Sequence, residues 1–210
     1  MDTVTTSFKT RLQSFFQAYI RPAVVITLLL TVLTGLIYPG IVTALAQIIF
    51  PYQANGSLHT VNGKVIGSDL IGQYWTSPRY FHGRPSATIN PTTGTPEPYA
   101  ADNSAASNLG PTNKNLIDSV QQRVQQLQKE NPGVPVPADL VTSSGSGLDP
   151  DITPAAAYFQ IPRVAHERGL SQEAVKQLVD QNTQGRFLFI FGEPHVNVLQ
   201  LNLALDQLKP

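Results

Sequence analysis

Ala23-Val24-Val25-Ile26-Thr27-Leu28-Leu29-Leu30-Thr31-Val32-Leu33-Thr34-Gly35-Leu36-Ile37 contains no charged side chain, and the apolar run continues through Tyr38-Pro39-Gly40 into residues 41–50. No Asp, Glu, Lys or Arg occurs from Pro22 to Gly63. Crossing a bilayer takes about 20 mostly apolar residues at about 1.5 Å rise each, so this stretch is long enough to span one. Lipid-buried backbone must satisfy its own hydrogen bonds, which makes the stretch a helix, and Pro39 is expected to bend or end it.

Lys9, Arg11 and Arg21 precede the run and the first lysine after it is Lys64. The positive-inside rule therefore places residues 1–21 in the cytoplasm, the span at 22–50, and residues 51–210 outside, with the protein in the cell membrane as a single-pass chain. A cleaved signal peptide is the rival reading, because Ala44-Leu45-Ala46 before Gln47 fits a small-x-small cleavage site. Its apolar region would far exceed the usual ~7–15 residues. A buried helix of a soluble protein would carry a polar face, and none is visible here. Thr27, Thr31, Thr34 and Gly35, with Pro39, are the candidate partner contacts within the span, since small and hydroxylated residues allow helices to approach closely in lipid.

Composition limits the remainder to one domain of ~160 residues with its own core. Lys+Arg 14 balances Asp+Glu 14, so there is no basic field and nucleic acid is excluded as a partner. Cys 0 removes disulfides, thiolate catalysis and Cys-ligated metals. Seventeen Pro and 15 Gly, concentrated after the span, predict a loop-rich α+β domain with several short helices and a small hairpin or sheet.

Asn62-Gly63 between Leu58–Val61 and residues 64–66 predicts a β-hairpin with a type I′ turn. Residues 73–101 lack a sustained period and read as an ordered excursion anchored by Tyr74, Trp75, Tyr80 and Phe81. Leu116, Val120, Val124 and Leu127 recur at helical spacing after a cap at Asn113 or Asn115, with a Gln-rich opposite face, and Asn131-Pro132-Gly133 stops the helix. Thr153-Pro154 starts a second helix that Pro162 is expected to divide, and Gly169 ends it. Ser171 caps a third, running to Gln184-Gly185. Residues 187–191 read as a short, buried, strand-like run. In 197–208 strand and helix periods compete, and the cap pair Asn197 and Gln200 favours a helix.

Candidate chemistry is sparse. Ser143-Ser144-Gly145-Ser146-Gly147 resembles a phosphate cradle but lacks a P-loop lysine, and reads as a flexible turn. Asp149-Pro150-Asp151 lacks the glycine and glutamate of a calcium loop and reads as negative charge ahead of the helix start at Thr153. The four histidines show no ligand spacing, so no metal site is expected, and there is no G-x-S-x-G elbow. Arg84 and Arg163 read as hydrogen-bonding clamps on carbonyls or carboxylates. The residues thus describe a membrane protein with no catalytic or cofactor-binding machinery.

Several motifs then converge. Tyr38-Pro39, Phe50-Pro51-Tyr52-Gln53-Ala54-Asn55-Gly56-Ser57-Leu58, Tyr80-Phe81-His82-Gly83-Arg84-Pro85-Ser86-Ala87, Ser107-Asn108-Leu109-Gly110-Pro111-Thr112-Asn113, Gln160-Ile161-Pro162-Arg163-Val164-Ala165 and Gly192-Glu193-Pro194 with Val196-Asn197-Val198-Leu199 belong to a pattern covering residues 21–208. That pattern resembles the C subunit (KdpC family) of the Kdp-type potassium-transporting P-type ATPase. His195 and Gln200 replace an Arg and a Glu common in the family's Gly-Glu-Pro motif. The resemblance implies a non-catalytic subunit of a high-affinity, ATP-driven potassium uptake pump, needed for assembly. Its implied partners are the channel-like potassium-translocating subunit, the ATP-hydrolysing P-type subunit and the lipid bilayer. It also implies a catalytic chaperone that raises the pump subunit's affinity for ATP, nucleotide being reached through the complex. Gln53, Asn55, His82, Arg84, Asn108, Arg163 and Asn197 lie in these motifs and are the outer-domain candidates for partner contact or structural support. A membrane-anchored ectoenzyme and an extracytoplasmic potassium-binding domain are the alternatives.

Overall fold

Continuous helical backbone from Phe8 to Ile49 begins the computed structural model, which describes residues 8–208. Residues 1–7 of the expected cytoplasmic segment, the side chain of Lys9 and residues 209–210 lie outside the described residues. The chain divides into two units, Met1–Asn55 and Gly56–Pro210. In the first, α1 (Phe8–Phe15), α2 (Arg21–Val32) and α3 (Tyr38–Ile49) are joined by π-helical turns at Phe16–Ile20 and Leu33–Ile37. The helix over Thr10–Ile49 holds a window apolar and long enough to cross a membrane, and none of that window is buried among the described residues.

Of the two outcomes expected of Pro39, bending or ending the helix, ending does not occur. Each proline instead follows a π turn. The N–H of Arg21, just before Pro22, donates to Phe16 O, and the N–H of Tyr38, just before Pro39, donates to Leu33 O. Proline lacks an N–H and its ring crowds the carbonyl four residues earlier. Widening the preceding turn to i→i−5 relieves both problems without breaking the helix. A short helix, α4 (Pro51–Ala54), follows, and Asn55 Nδ2 donates to Pro51 O at 2.6 Å and to Gln47 Oε1 at 3.1 Å.

The second unit opens with the expected hairpin. Strands β1 (Leu58–Val61) and β2 (Lys64–Ser68) pair antiparallel, with Asn62 at φ 51° and Gly63 at φ 77°, the two left-handed residues a type I′ turn requires. A loop-rich excursion leads to α5 (Lys114–Glu130), capped by Asn113 through Asn115 N. Helices α6 (Pro154–Arg168), α7 (Gln172–Gln181) and α8 (Val198–Gln207) supply most of the core. A small antiparallel sheet accompanies them, ordered β3 (Asp151–Ile152), β5 (His195–Asn197), β4 (Thr183–Gln184). Val164, Val175, Val179, Val196, Leu201 and Leu205 are fully enclosed there, together with Phe81 from the excursion. Burying side chains of this size contributes about 1.5–3 kcal/mol each.

Three further expectations are corrected. Pro162 does not divide α6: Ile161, Val164 and Ala165 hold the helix against the core, while the carbonyl that loses its donor belongs to exposed Tyr158. Helix α7 stops at Gln181 because residues 183–184 leave it to pair with β5. Residues 187–191 are not buried: they form an exposed turn at the end of the β4–β5 connection. The final segment resolves as a strand followed by a helix, so both competing periods are real in turn. Asn197 is the hinge between them, its side chain accepting from Gln200 N.

Candidate functional site

An open cleft of ≈ 480 Å³ in the second unit gathers the polar side chains of the excursion against α5 and α6. Sequence order explains the convergence. Arg123 and Glu130 are seven residues apart and share one face of α5, as Gln160 and Arg163 do on α6. Opposite them lie Trp75, His82, Arg84 and Tyr99.

Amide clamps hold the excursion in place. Gln160 is buried; its Oε1 accepts from His82 N at 2.8 Å and its Nε2 donates to His82 O at 3.1 Å. One residue earlier, Asn202 makes the same pair of bonds to Phe81. Arg163 donates to Pro78 O, Tyr80 O and Gln160 Oε1, and Arg84 donates to Asp149 Oδ2 at 3.0 Å. Both arginines are thus clamps, as their motifs suggested. Tyr99 donates its hydroxyl to Arg84 O at 2.7 Å; burial, then the nearby Asp149 carboxylate, pushes its pKa up to about 12. His82 Nε2 donates to Ser77 O at 3.0 Å, and burial followed by the Arg163 charge holds the imidazole below its ordinary pKa. Burial likewise lowers the guanidinium pKa of Arg163 and Arg123.

Arg84, Arg123 and Arg163 outnumber the single lining carboxylate, Glu130, so the cleft carries excess positive charge. Among the described residues, three buried N–H groups on its wall lack a hydrogen-bond acceptor: Trp75 Nε1, Arg84 Nε and Arg163 Nε. Glu130 Oε2 lies 3.3 Å from Arg163 Nε as an ion pair, and its proximity opposes the effect of burial on the guanidinium. The arrangement suits oxygen acceptors, whether carbonyl or carboxylate, and disfavours a cation. Among the described residues no cluster of three or more His, Asp or Glu side chains is placed to hold a metal.

Of the candidates read from sequence, His82, Arg84 and Arg163 meet in this cleft; the others do not. Asn197 is a buried structural residue, donating to Asp69 O at 2.9 Å and Asp151 Oδ1 at 3.2 Å while capping α8. Asn108 is an exposed loop residue at φ 52°. Gln53 lies in α4 and Asn55 caps its end. Thr27, Thr31, Thr34, Gly35 and Pro39 are all exposed on that helix. Thr34 Oγ1 donates to Leu30 O at 2.7 Å, so its proton is spent within its own helix. Gln160, Tyr99, Glu130 and Arg123 were missed. The i, i+3 and i, i+7 spacing on α6 and α5 was the available signal for three of them.

The glycine-rich loop 143–147 is fastened rather than flexible, correcting the sequence reading. Ser144 Oγ accepts from Gly147 N, Ser146 O accepts from Ala105 N and Ser104 Oγ, and Gly147 O accepts from Ser86 Oγ. The helix start at Thr153 uses Asp139, whose carboxylate accepts from Thr153 N at 2.8 Å. Asp149 instead serves Arg84 and Asp151 serves Asn197, correcting the reading of those two acids.

Comparison with known proteins agrees with this architecture. The family K+-transporting ATPase, c chain (KdpC), matches residues 20–207. A Potassium-transporting ATPase KdpC subunit from Rhodopseudomonas palustris (strain BisB18) is 59% identical over 195 residues, covering 90% of this chain and 98% of the relative. One from Bradyrhizobium diazoefficiens is 58% identical over 193 residues, covering 90% of this chain and 96% of the relative. A protein of the same name from Sorangium cellulosum is 56% identical over 191 residues, covering 90% of this chain and 97% of the relative. With its apolar helix, its α+β domain and this match along nearly its whole length, the chain belongs to the KdpC family of potassium-transporting ATPase subunits.

Proposed function

We propose that this chain assembles a high-affinity, ATP-driven potassium uptake pump, docking to the channel-like potassium-translocating subunit and stabilising its association with the ATP-hydrolysing P-type subunit. In this reading the N-terminus is cytoplasmic and the second unit lies outside the membrane. One observation carries it. None of the helix's apolar window is buried among the described residues, so its lateral surface is offered to lipid and to other helices. The cleft supplies a second docking point, where Arg84 and Arg163 receive carbonyl or carboxylate oxygens of a partner loop.

An influence on ATP affinity is transmitted through the pump's conformational equilibrium: by the charge argument the domain lies across the membrane from the nucleotide. No observation favours the ectoenzyme: the cleft's histidine and glutamine, His82 and Gln160, are spent on structural bonds. Potassium capture in the cleft is opposed by its excess of arginines.

Exchanging residues 23–37 for an unrelated apolar span tests the assembly role. Membrane insertion is expected to persist while co-purification with the channel-like subunit falls; unchanged complex yield in detergent would overturn it. ATP affinity of the pump with and without this chain, beside direct titration of the purified chain with ATP, tests the indirect account, which saturable binding to the chain alone would refute.

A further inference from the structure

Phe187-Leu188-Phe189-Ile190-Phe191 is the most exposed run of large apolar side chains in the second unit, with relative exposures of 72%, 63%, 95%, 73% and 61%. It is a presented tip rather than a slack loop. The strands on either side are paired, Thr183 with Val196 and Gln184 with His195, so the segment projects from a sheet. Phe187 and Phe191 exchange both backbone hydrogen bonds, at 2.8 Å and 2.9 Å, and Arg186 closes the neck on Glu193 at 2.7 Å. Leu188 and Phe189 sit at φ 51° and 63°, a region that bulky side chains avoid. Backbone of this kind persists where the surroundings impose it, and here it turns five hydrocarbon side chains outward.

We propose that this tip inserts into the interfacial layer of the lipid bilayer that the chain's own helix spans. The side chains of 187–191 carry no polar atom, so no hydrogen bond or charge pair would select a protein partner; burial in hydrocarbon satisfies all five at once. The bilayer is also within tether reach of β1, where the second unit begins. Only residues 50–57 separate Ile49 at the end of the long helix from Leu58 in β1, so the connection reaches at most about 30 Å even when fully extended. The neck pair Arg186 and Glu193 is electrically neutral, so insertion is driven by apolar burial and depends little on salt or on anionic lipid. The inference rests on the membrane span and not on which side the domain faces.

Because the chain is free of cysteine, a single Phe189→Cys replacement in the full-length protein can carry an environment-sensitive fluorophore in phosphatidylcholine vesicles. Lipids brominated near the head of the acyl chain are expected to remove roughly half of its emission, since interfacial insertion reaches ~5–10 Å deep, while aqueous iodide has little effect. The same label on the solvent face of α5, at Gln125→Cys, should show the opposite pattern. Ile190→Cys repeats the measurement should the first variant misfold. A label at 189 that iodide quenches and bromolipid does not would overturn the proposal. So would protection from iodide that appears only with the other subunits present, or that grows with protein-to-lipid ratio, without bromolipid quenching. These results would assign the tip to a partner subunit or a second copy.

Discussion

Asn202, fully buried on α8, holds Phe81 by both backbone groups: Oδ1 accepts from Phe81 N at 2.9 Å and Nδ2 donates to Phe81 O at 3.0 Å. A side chain thereby replaces a neighbouring strand, and it fixes the motif that leads into the cleft. Removing it as Asn202→Leu leaves a buried N–H and a buried C=O unpaired, at a cost of about 2–4 kcal/mol. Thermal unfolding of the full chain in detergent is expected to drop by roughly 5–10 °C. Asn202→Asp should be no better, since a carboxylate cannot donate to Phe81 O and would bury charge.

Two glycines in one loop should behave oppositely. Gly147 has φ +70°, and a Cβ there would lie 2.5 Å from Thr88 Cγ2 and 2.6 Å from Ala105 O, whereas a Cβ on Gly145 meets nothing within 4 Å. Gly147→Ala is expected to cost about 2 kcal/mol or more and Gly145→Ala to fall within about 0.5 kcal/mol of the parent in urea titrations. Equal effects would contradict the packed arrangement of the loop.

Acid should weaken the second unit through His82. Its folded-state pKa lies below the unfolded value, chiefly from burial and then from Arg163, with Glu130 opposing. Above the unfolded pKa both states are neutral and stability is intact. As pH falls below about 6.5 the unfolded chain gains a proton that the folded one refuses, and stability is lost until the folded pKa is passed. His82→Gln should therefore lose less stability than the parent between pH 7.5 and 5. An identical pH dependence in the two proteins would assign the effect elsewhere.

Sidedness is open to direct measurement. With no native cysteine to interfere, Thr10→Cys should resist a membrane-impermeant thiol reagent in intact cells and Gln125→Cys should react. The reverse labelling pattern would invert the proposed topology.

Much of the architecture was legible in local chemistry. Twenty-eight residues without charge, 23–50, specify a membrane-length helix whatever surrounds them. Asn62-Gly63, Thr153-Pro154, Gly169 and Ser171 each act through their own backbone or nearest neighbours, so hairpin, helix starts and helix end could be read directly. The clamping roles of Arg84 and Arg163 followed from residue type, though not the carbonyls they hold. Proline was over-read at Pro162, and at Pro39 in so far as it was expected to end the helix, because breaking a helix is its local preference and the outcome depends on surroundings. A π turn absorbs Pro39, and core packing carries α6 through Pro162.

Only the tertiary structure could decide the rest, because it depends on which distant residues meet. Gln160 and Asn202 look like ordinary helical polar residues until the excursion brings His82 and Phe81 beneath them. Residues 187–191 read as buried because hydrocarbon is usually enclosed, yet the pairing of β4 with β5 leaves them exposed at the tip of a hairpin, uncovered by the described residues of their own unit. Hydrophobicity sets the cost of leaving such a segment in water; the fold decides that the second unit does not enclose it.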